Sequence, residues 1–231
     1  MQKTAGWFVR RNFVGVQLIS VTGRAVGRIM ESQRQIADAT GSRGRSVMGK
    51  VDTKGVWTRV SVEESQFEGL RQPGSGIKSS IKWGTGVDGE KSGYDFTGLT
   101  GVDARLDGKD FNLGIFAHYN RRVVLKHAQF SVFLKVTVDF QDEGFDHTFT
   151  LRFRHDETPN VPGDVDDVVR LPIVHENDIV RVDGAEYQVT ISGFRDHGGQ
   201  GEVQSKYTIR EGEIKRLWLV ARFEPISEPG S

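Results

Sequence analysis

The sequence predicts an all-β protein: an antiparallel two-sheet β-sandwich, jelly-roll-like, with an N-terminal extension. Two observations carry this prediction. Between Phe130 and Phe140, the residues Phe130, Val132, Leu134, Val136, Val138 and Phe140 fall on every second position, with Ser131, Phe133, Lys135, Thr137 and Asp139 between them. Period two sends alternate side chains to opposite faces of a strand, so one face is apolar and the other mostly wet. The second observation is the punctuation of the chain. Its 28 glycines fall with aspartates between short runs rich in Val, Phe and Thr, the pattern of strands joined by turns.

The strongest element is a hairpin over residues 130–155. Its first strand is the alternating run above. Gln141 to Asp146 supply polar residues and a glycine for the turn. Its second strand puts Phe149, Leu151 and Phe153 inward and Thr148, Thr150, Arg152 and Arg154 outward.

Earlier strands are predicted at 55–62, 79–83, 94–98 and 111–119, with a polar, Gly-rich connection over 63–78. Later ones fall at 168–171 and 179–182, then at 185–191 behind the Asp183-Gly184 turn, and finally at 214–223, where Leu217, Leu219, Ala221 and Phe223 share a face. About ten strands separated by turns imply two packed sheets. The domain reading is therefore an extension over 1–50, a sandwich over 51–226 and a tail over 227–231.

The absence of cysteine excludes disulfides, a thiol nucleophile and thiolate-bound zinc. No apolar run approaches the ~20 residues of a membrane helix, so no membrane span is expected. The zero net charge hides an asymmetry. Residues 1–50 hold nine basic and two acidic side chains, a net of +7, so the remainder carries −7. Within the extension, Arg10-Arg11-Asn12-Phe13 followed by a weak apolar stretch from Val14 to Gly23 resembles a twin-arginine export signal, with Ala25-Val26-Gly27 as small residues for cleavage. The other reading is an ordinary strand or a docking segment. Residues 24–39 suit a basic, weakly amphipathic helix, and Gly41, Gly44 and Gly49 mark a linker. Arginines without aromatic platforms do not make a nucleic-acid site, so no nucleic-acid partner is expected.

Several short segments, taken in order across residues 50–225, resemble the choice-of-anchor K domain of bacteria. They are Gly55-Val56-Trp57, Ile81-Lys82-Trp83-Gly84-Thr85, Tyr94-Asp95-Phe96-Thr97-Gly98, Phe111-Asn112-Leu113-Gly114 and Glu157-Thr158-Pro159-Asn160. Asp167-Val168-Val169-Arg170-Leu171-Pro172, Val182-Asp183-Gly184-Ala185-Glu186-Tyr187 and Ile191-Ser192-Gly193-Phe194 complete the set. The resemblance implies an extracellular or cell-surface β-sandwich and brings no catalytic residues. Relatives in that family often carry a sorting signal after the domain. Here Glu224 to Ser231 supply neither an apolar tail nor a basic stop, so no C-terminal anchor is visible.

Candidate sites are of three kinds. Trp57, Trp83, Tyr94, Tyr119, Phe133 and Trp218 are candidates for an aromatic platform on a sheet face, as sugar-binding modules use against flat apolar sugar faces. The alternative is that those rings are covered by the extension or a partner. Asp103, Asp107 and Asp110 in one loop, and Asp164, Asp166 and Asp167 in another, offer the hard oxygen ligands of calcium.

The six histidines, His118, His127, His147, His155, His175 and His197, make no ligand spacing and read as scattered surface residues, the alternative being a transition-metal site assembled across strands. Gly84-Thr85-Gly86-Val87-Asp88-Gly89 matches G-x-G-x-x-G, yet no helix follows to hold a pyrophosphate, and we read it as a hairpin loop. No G-x-S-x-G elbow is present. Glu143, Asp146, Glu157 and Glu186 are carboxylates from which a glycosidase pair would be drawn.

The function expected is that of a non-enzymatic extracellular or cell-surface module for interaction or structure, with carbohydrate or other surface proteins as partners. The first alternative is a carbohydrate-active enzyme on the same scaffold. The second is a subunit that self-associates through residues 1–50.

Overall fold

The computed structural model describes residues 48–226, except 73, 75, 87–88, 142–143, 159–165, 172–178, 183 and 200. The expectations for the extension up to residue 47, for the tail, and for Asp164, His175 and Glu143 lie outside the described residues. The described chain is built of strands and one 3-10 turn, Glu64–Gln66. Among the described residues no helix is long and apolar enough to cross a membrane.

The strands in chain order are β1 (Met48–Val60), β2 (Phe67–Glu68), β3 (Lys78–Trp83), β4 (Thr85–Gly86), β5 (Ser92–Thr97), β6 (Val102–Arg105), β7 (Phe111–Tyr119) and β8 (Val123–Val124). They continue with β9 (Gln129–Phe140), β10 (Phe145–Asp156), β11 (Asp167–Arg170), β12 (Ile179–Val182), β13 (Ala185–Asp196), β14 (Lys206–Ile209) and β15 (Ile214–Pro225). One sheet has the order β14-β11-β10-β9-β1-β6. The other runs β12-β13-β15-β7-β5-β3-β2, and β4 pairs with β8 apart from both. Every pairing is antiparallel. The chain crosses repeatedly between the two sheets, as a two-sheet sandwich requires.

The predicted hairpin is the centre of the six-stranded sheet. β9 and β10 pair from Gln129↔Asp156 to Phe140↔Phe145 without a break. Val132, Leu134, Val136 and Val138 are buried, with Phe149, Leu151 and Phe153 beside them on the inner face. Opposite stands the inner face of the seven-stranded sheet, with Ile81, Tyr94, Phe96, Phe116, Leu219 and Phe223. The two faces interdigitate into one hydrophobic core.

Three bulges set which side chains enter that core, the one on β13 between Ile191 and Gly193 letting both Ile191 and Phe194 point inward. On β1 the register slips between Trp57 and Arg59, so Trp57 and Val60 both point inward although they are three residues apart. On β7 the pairing with β15 passes from Gly114 to Asn112 and leaves Leu113 without a register partner. The core is not uniform along its length. Near one end Phe111 stacks on Phe223, with ring centroids 5.2 Å apart, and Phe140 packs on the same ring. Toward the other end the inward positions are taken by polar side chains.

Candidate functional site

Those inward polar side chains come from both sheets. Strand β7 continues its inward series Phe116, His118, and β10 continues Phe149, Leu151, Phe153, His155. Both histidines are fully buried. His118 sits beside Tyr94 in the β5–β7 register, and His155 beside Phe130 in the β9–β10 register. Asp167 opens β11 with no exposed surface, and Glu157 follows β10 almost completely covered.

The hydrogen bonds fix most of this cluster. Glu157 Oε2 accepts from Trp83 Nε1 at 3.1 Å and from His155 Nε2 at 2.9 Å. Because a carboxylate oxygen can only accept here, His155 carries its proton on Nε2, and its Nδ1 accepts from the Tyr94 hydroxyl at 2.5 Å. Asp167 Oδ1 accepts from the Thr158 amide at 2.8 Å and its hydroxyl at 2.9 Å. Other atoms have no hydrogen-bond partner among the described residues: both ring nitrogens of His118, Glu157 Oε1, Asp167 Oδ2 and the Tyr207 hydroxyl.

Electrostatics follow from burial. Desolvation by burial pushes the His118 pKa well below the ordinary imidazole range, so this ring is neutral at pH 7. Burial and then the neighbouring Glu157 push the Asp167 carboxyl up to about 6. Burial raises the Tyr94 and Tyr207 hydroxyls well above the phenol range, so both stay protonated donors.

A second polar feature lies outside, on the solvent face of the seven-stranded sheet. Lys78, Ser80 and Lys82 of β3, Gly93 and Asp95 of β5, Tyr119 of β7, and Glu90, Lys91 and Arg121 from the adjoining loops line a cleft of about 360 Å³. Asp95 is its floor. Its carboxylate accepts from Ser80 Oγ at 2.6 Å, from the Tyr119 hydroxyl at 2.7 Å and from Lys78 Nζ at 2.8 Å. Burial alone would raise the Asp95 pKa, but these three donors outweigh it and hold the carboxyl below its ordinary value. Arg121 is held by Glu90 at 3.1 Å and by the Gly212 carbonyl at 2.8 Å.

The aromatic platform predicted from the sequence is not assembled. Trp57, Trp83 and Tyr94 have no exposed surface and form the middle of the core. The β1 bulge turns Trp57 inward, and its Nε1 donates to the Ser79 carbonyl at 3.2 Å. Phe133 lies on the outer face of the other sheet under the Arg59 guanidinium, 3.9 Å from the ring centroid. Trp218 is stacked by His197 at 4.8 Å and donates to its carbonyl at 3.0 Å. Of the six, Tyr119 and Tyr94 border the cleft, Tyr94 with no exposed surface.

The acidic loop clusters are corrected as well. Asp103 pairs with Lys50 at 2.5 Å, Asp107 with Arg105 at 2.5 Å, and Asp110 with Ser192 at 2.7 Å and Arg195 at 3.1 Å. Each is neutralised by its own cation on a different element, so the three do not converge. Asp166 faces Arg210, while Asp167 is in the core and not on a calcium loop. Among the former glycosidase candidates, Glu157 is inside the sandwich and Glu186 pairs with Arg181.

The expectation of surface histidines fails for His118 and His155. For His155 the missed signal was phase, since it extends Phe149, Leu151 and Phe153 by one step; for His118 the β7 bulge hid it, because the alternation Phe111, Leu113, Ile115 puts His118 in the opposite phase. No family model and no curated protein matches the chain.

Proposed function

We propose that the chain is a non-catalytic, extracellular β-sandwich module that binds carbohydrate in the cleft around Asp95. The observation that supports this most is the triply fixed Asp95 carboxylate beside the half-buried Tyr119 ring. A carboxylate already held in place accepts sugar hydroxyls at little further ordering cost, and an aromatic ring beside it offers an apolar face to a pyranose. The lining holds four cations, Lys78, Lys82, Lys91 and Arg121, against the carboxylates Glu90 and Asp95. That balance favours a glycan bearing acidic groups. The cleft volume is in the range of small-ligand sites, roughly 300–1,000 Å³. The surface setting rests on the family resemblance in the sequence.

Binding of the full chain to an array of neutral and acidic glycans, followed by calorimetry, tests this reading. The expected result is binding to acidic glycans that weakens with salt and falls about tenfold or more in Tyr119→Ala and Lys82→Ala. An array with no bound glycan, or binding that both substitutions leave intact, overturns it.

A further inference from the structure

We propose that the interior of the sandwich is a binding site for one divalent transition-metal ion of the zinc class, held by His118, His155 and Asp167 with Glu157 beside them. The ion would tie one sheet to the other, since His118 belongs to the seven-stranded sheet and His155 and Asp167 to the six-stranded sheet.

Three features of geometry carry this. Ligand atoms of His118, His155 and Asp167 all lie within 4.8 Å of one another, and His155 Nε2 is 3.8 Å from Asp167 Oδ2. Ligand atoms of a tetrahedral ion at zinc distances are about 3.3 Å apart, so small side-chain rotations close the site. A second group, Glu157, Asp167 and Glu211, meets the same 4.8 Å limit and shares Asp167. The two groups meet at Asp167.

The second feature is the orphaned atoms. His118 has no exposed surface and neither ring nitrogen has a hydrogen-bond partner among the described residues. Asp167 is equally buried, and its free oxygen is the one nearest His155. Buried polar atoms are normally paired, and a lone pair on each of these residues points to a missing electrophile.

The third is the support around the ligands. Asp167 Oδ1 is pinned by Thr158, which leaves Oδ2 to coordinate. His155 Nδ1 faces the Tyr94 oxygen, the outer hydrogen bond that orients metal-bound histidines. On binding, His155 moves its proton from Nε2 to Nδ1 and gives the Nε2 lone pair to the ion, and the Tyr94 oxygen then accepts.

The donor set decides the class of ion. Two imidazoles beside carboxylates suit zinc and its transition-metal neighbours, whereas calcium and magnesium take oxygen ligands. Burial of all three ligands makes the site closed, and closed sites serve structure. Two alternatives fill the same space without metal: an ordered water, or a proton shared between Asp167 and Glu157.

The test uses the full chain without a histidine tag, purified without chelator. Elemental analysis is expected to find about one zinc per chain. Chelation should lower the melting temperature by several degrees, and Zn²⁺ but not Ca²⁺ should restore it. Cobalt added to the chelated protein should give the visible bands of a low-coordinate site at one equivalent. His118→Phe and Asp167→Asn should lose the bound equivalent while surface histidines remain. If either variant fails to fold, the cobalt titration of the native chain decides. A metal-free chain whose melting temperature neither Zn²⁺ nor Co²⁺ moves overturns the proposal in favour of water or a shared proton. So does a folded His118→Phe protein that keeps its metal.

Discussion

His118 and His155 face one another across the sandwich, with ring centroids 5.3 Å apart and planes at 76°. One ring comes from each sheet, and both are walled by aromatics. Trp83 lies 5.1 Å from His155, Tyr94 lies 4.9 Å from His118, and Phe130 lies 4.8 Å from His155. Bulk solvent is therefore kept from a place where imidazole and carboxylate meet. Low local polarity strengthens each hydrogen bond that is made and penalises each one that is not.

The Tyr94 hydroxyl joins its ring to that network through His155 Nδ1, and Tyr94→Phe removes this bond without disturbing packing. The ring contacts to Trp83 at 4.7 Å and Phe116 at 4.8 Å remain. His155 Nδ1 is then left buried without a donor, which costs about 1–3 kcal/mol. Urea unfolding should show a lower midpoint at unchanged slope. An unchanged midpoint would mean that the Tyr94–His155 bond contributes nothing in solution.

Phe96 is packed between two glycines, and substituting either one should destabilise the fold. A Cβ on Gly55 would stand 2.5 Å from Phe96 Cδ1, and one on Gly114 would stand 2.5 Å from Cε2 and Cζ of the same ring. Phe96 has no exposed surface into which to retreat. Gly55→Ala and Gly114→Ala are each expected to cost about 1–3 kcal/mol. Adding Phe96→Leu to Gly114→Ala should cost less than the sum of the two single changes, because the shorter side chain relieves the clash. Strict additivity in that cycle would argue against the contact.

The hairpin was legible because its apolar residues, Phe133 apart, obey period two, so the inner face of β9 and β10 follows from the residues alone. The cleft and the buried cluster were not legible, for two physical reasons. A bulge shifts phase without a sequence mark, which is why Trp57 read as an outward aromatic and is a core residue. The packing of one sheet on the other is also absent from any local pattern: Tyr94 and His155 meet across 61 residues and Trp83 and Glu157 across 74. Histidine adds to the difficulty. His155 continues an apolar series, yet the ring is polar and is usually counted as surface, and His118 comes into the core only because the β7 bulge shifts its phase.

The Asp95 cluster predicts an acid-sensitive increment of stability. Its carboxyl titrates below the ordinary value in the folded chain because the donors Lys78, Ser80 and Tyr119 overcome the effect of burial. A depressed folded-state pKa stabilises the fold fully above the unfolded value of about 3.9, and that contribution disappears as pH falls through the folded value. Asp95→Asn should therefore cost about 1–2 kcal/mol at pH 7. The gap from the native chain should close as the pH is lowered toward 3. A gap that persists unchanged at low pH would show that charge on Asp95 is not its source.

Thr53 closes the break that the β7 bulge leaves. Leu113 has no register partner on β15 or β5, and its carbonyl accepts from Thr53 Oγ1 at 2.7 Å across the interior. The same hydroxyl accepts from the Leu99 amide at 2.8 Å. One buried oxygen therefore satisfies two backbone groups from two other segments. Thr53→Val keeps the shape and removes both bonds, leaving an N–H and a C=O unpaired, and should cost about 2–4 kcal/mol. Thr53→Ser keeps the hydroxyl and loses one methyl, so it should cost about 1 kcal/mol. The ordering of the two variants in urea unfolding is the discriminating result. Valine at least as stable as serine would mean that packing, and not the hydroxyl bridge, holds β1 against the bulge.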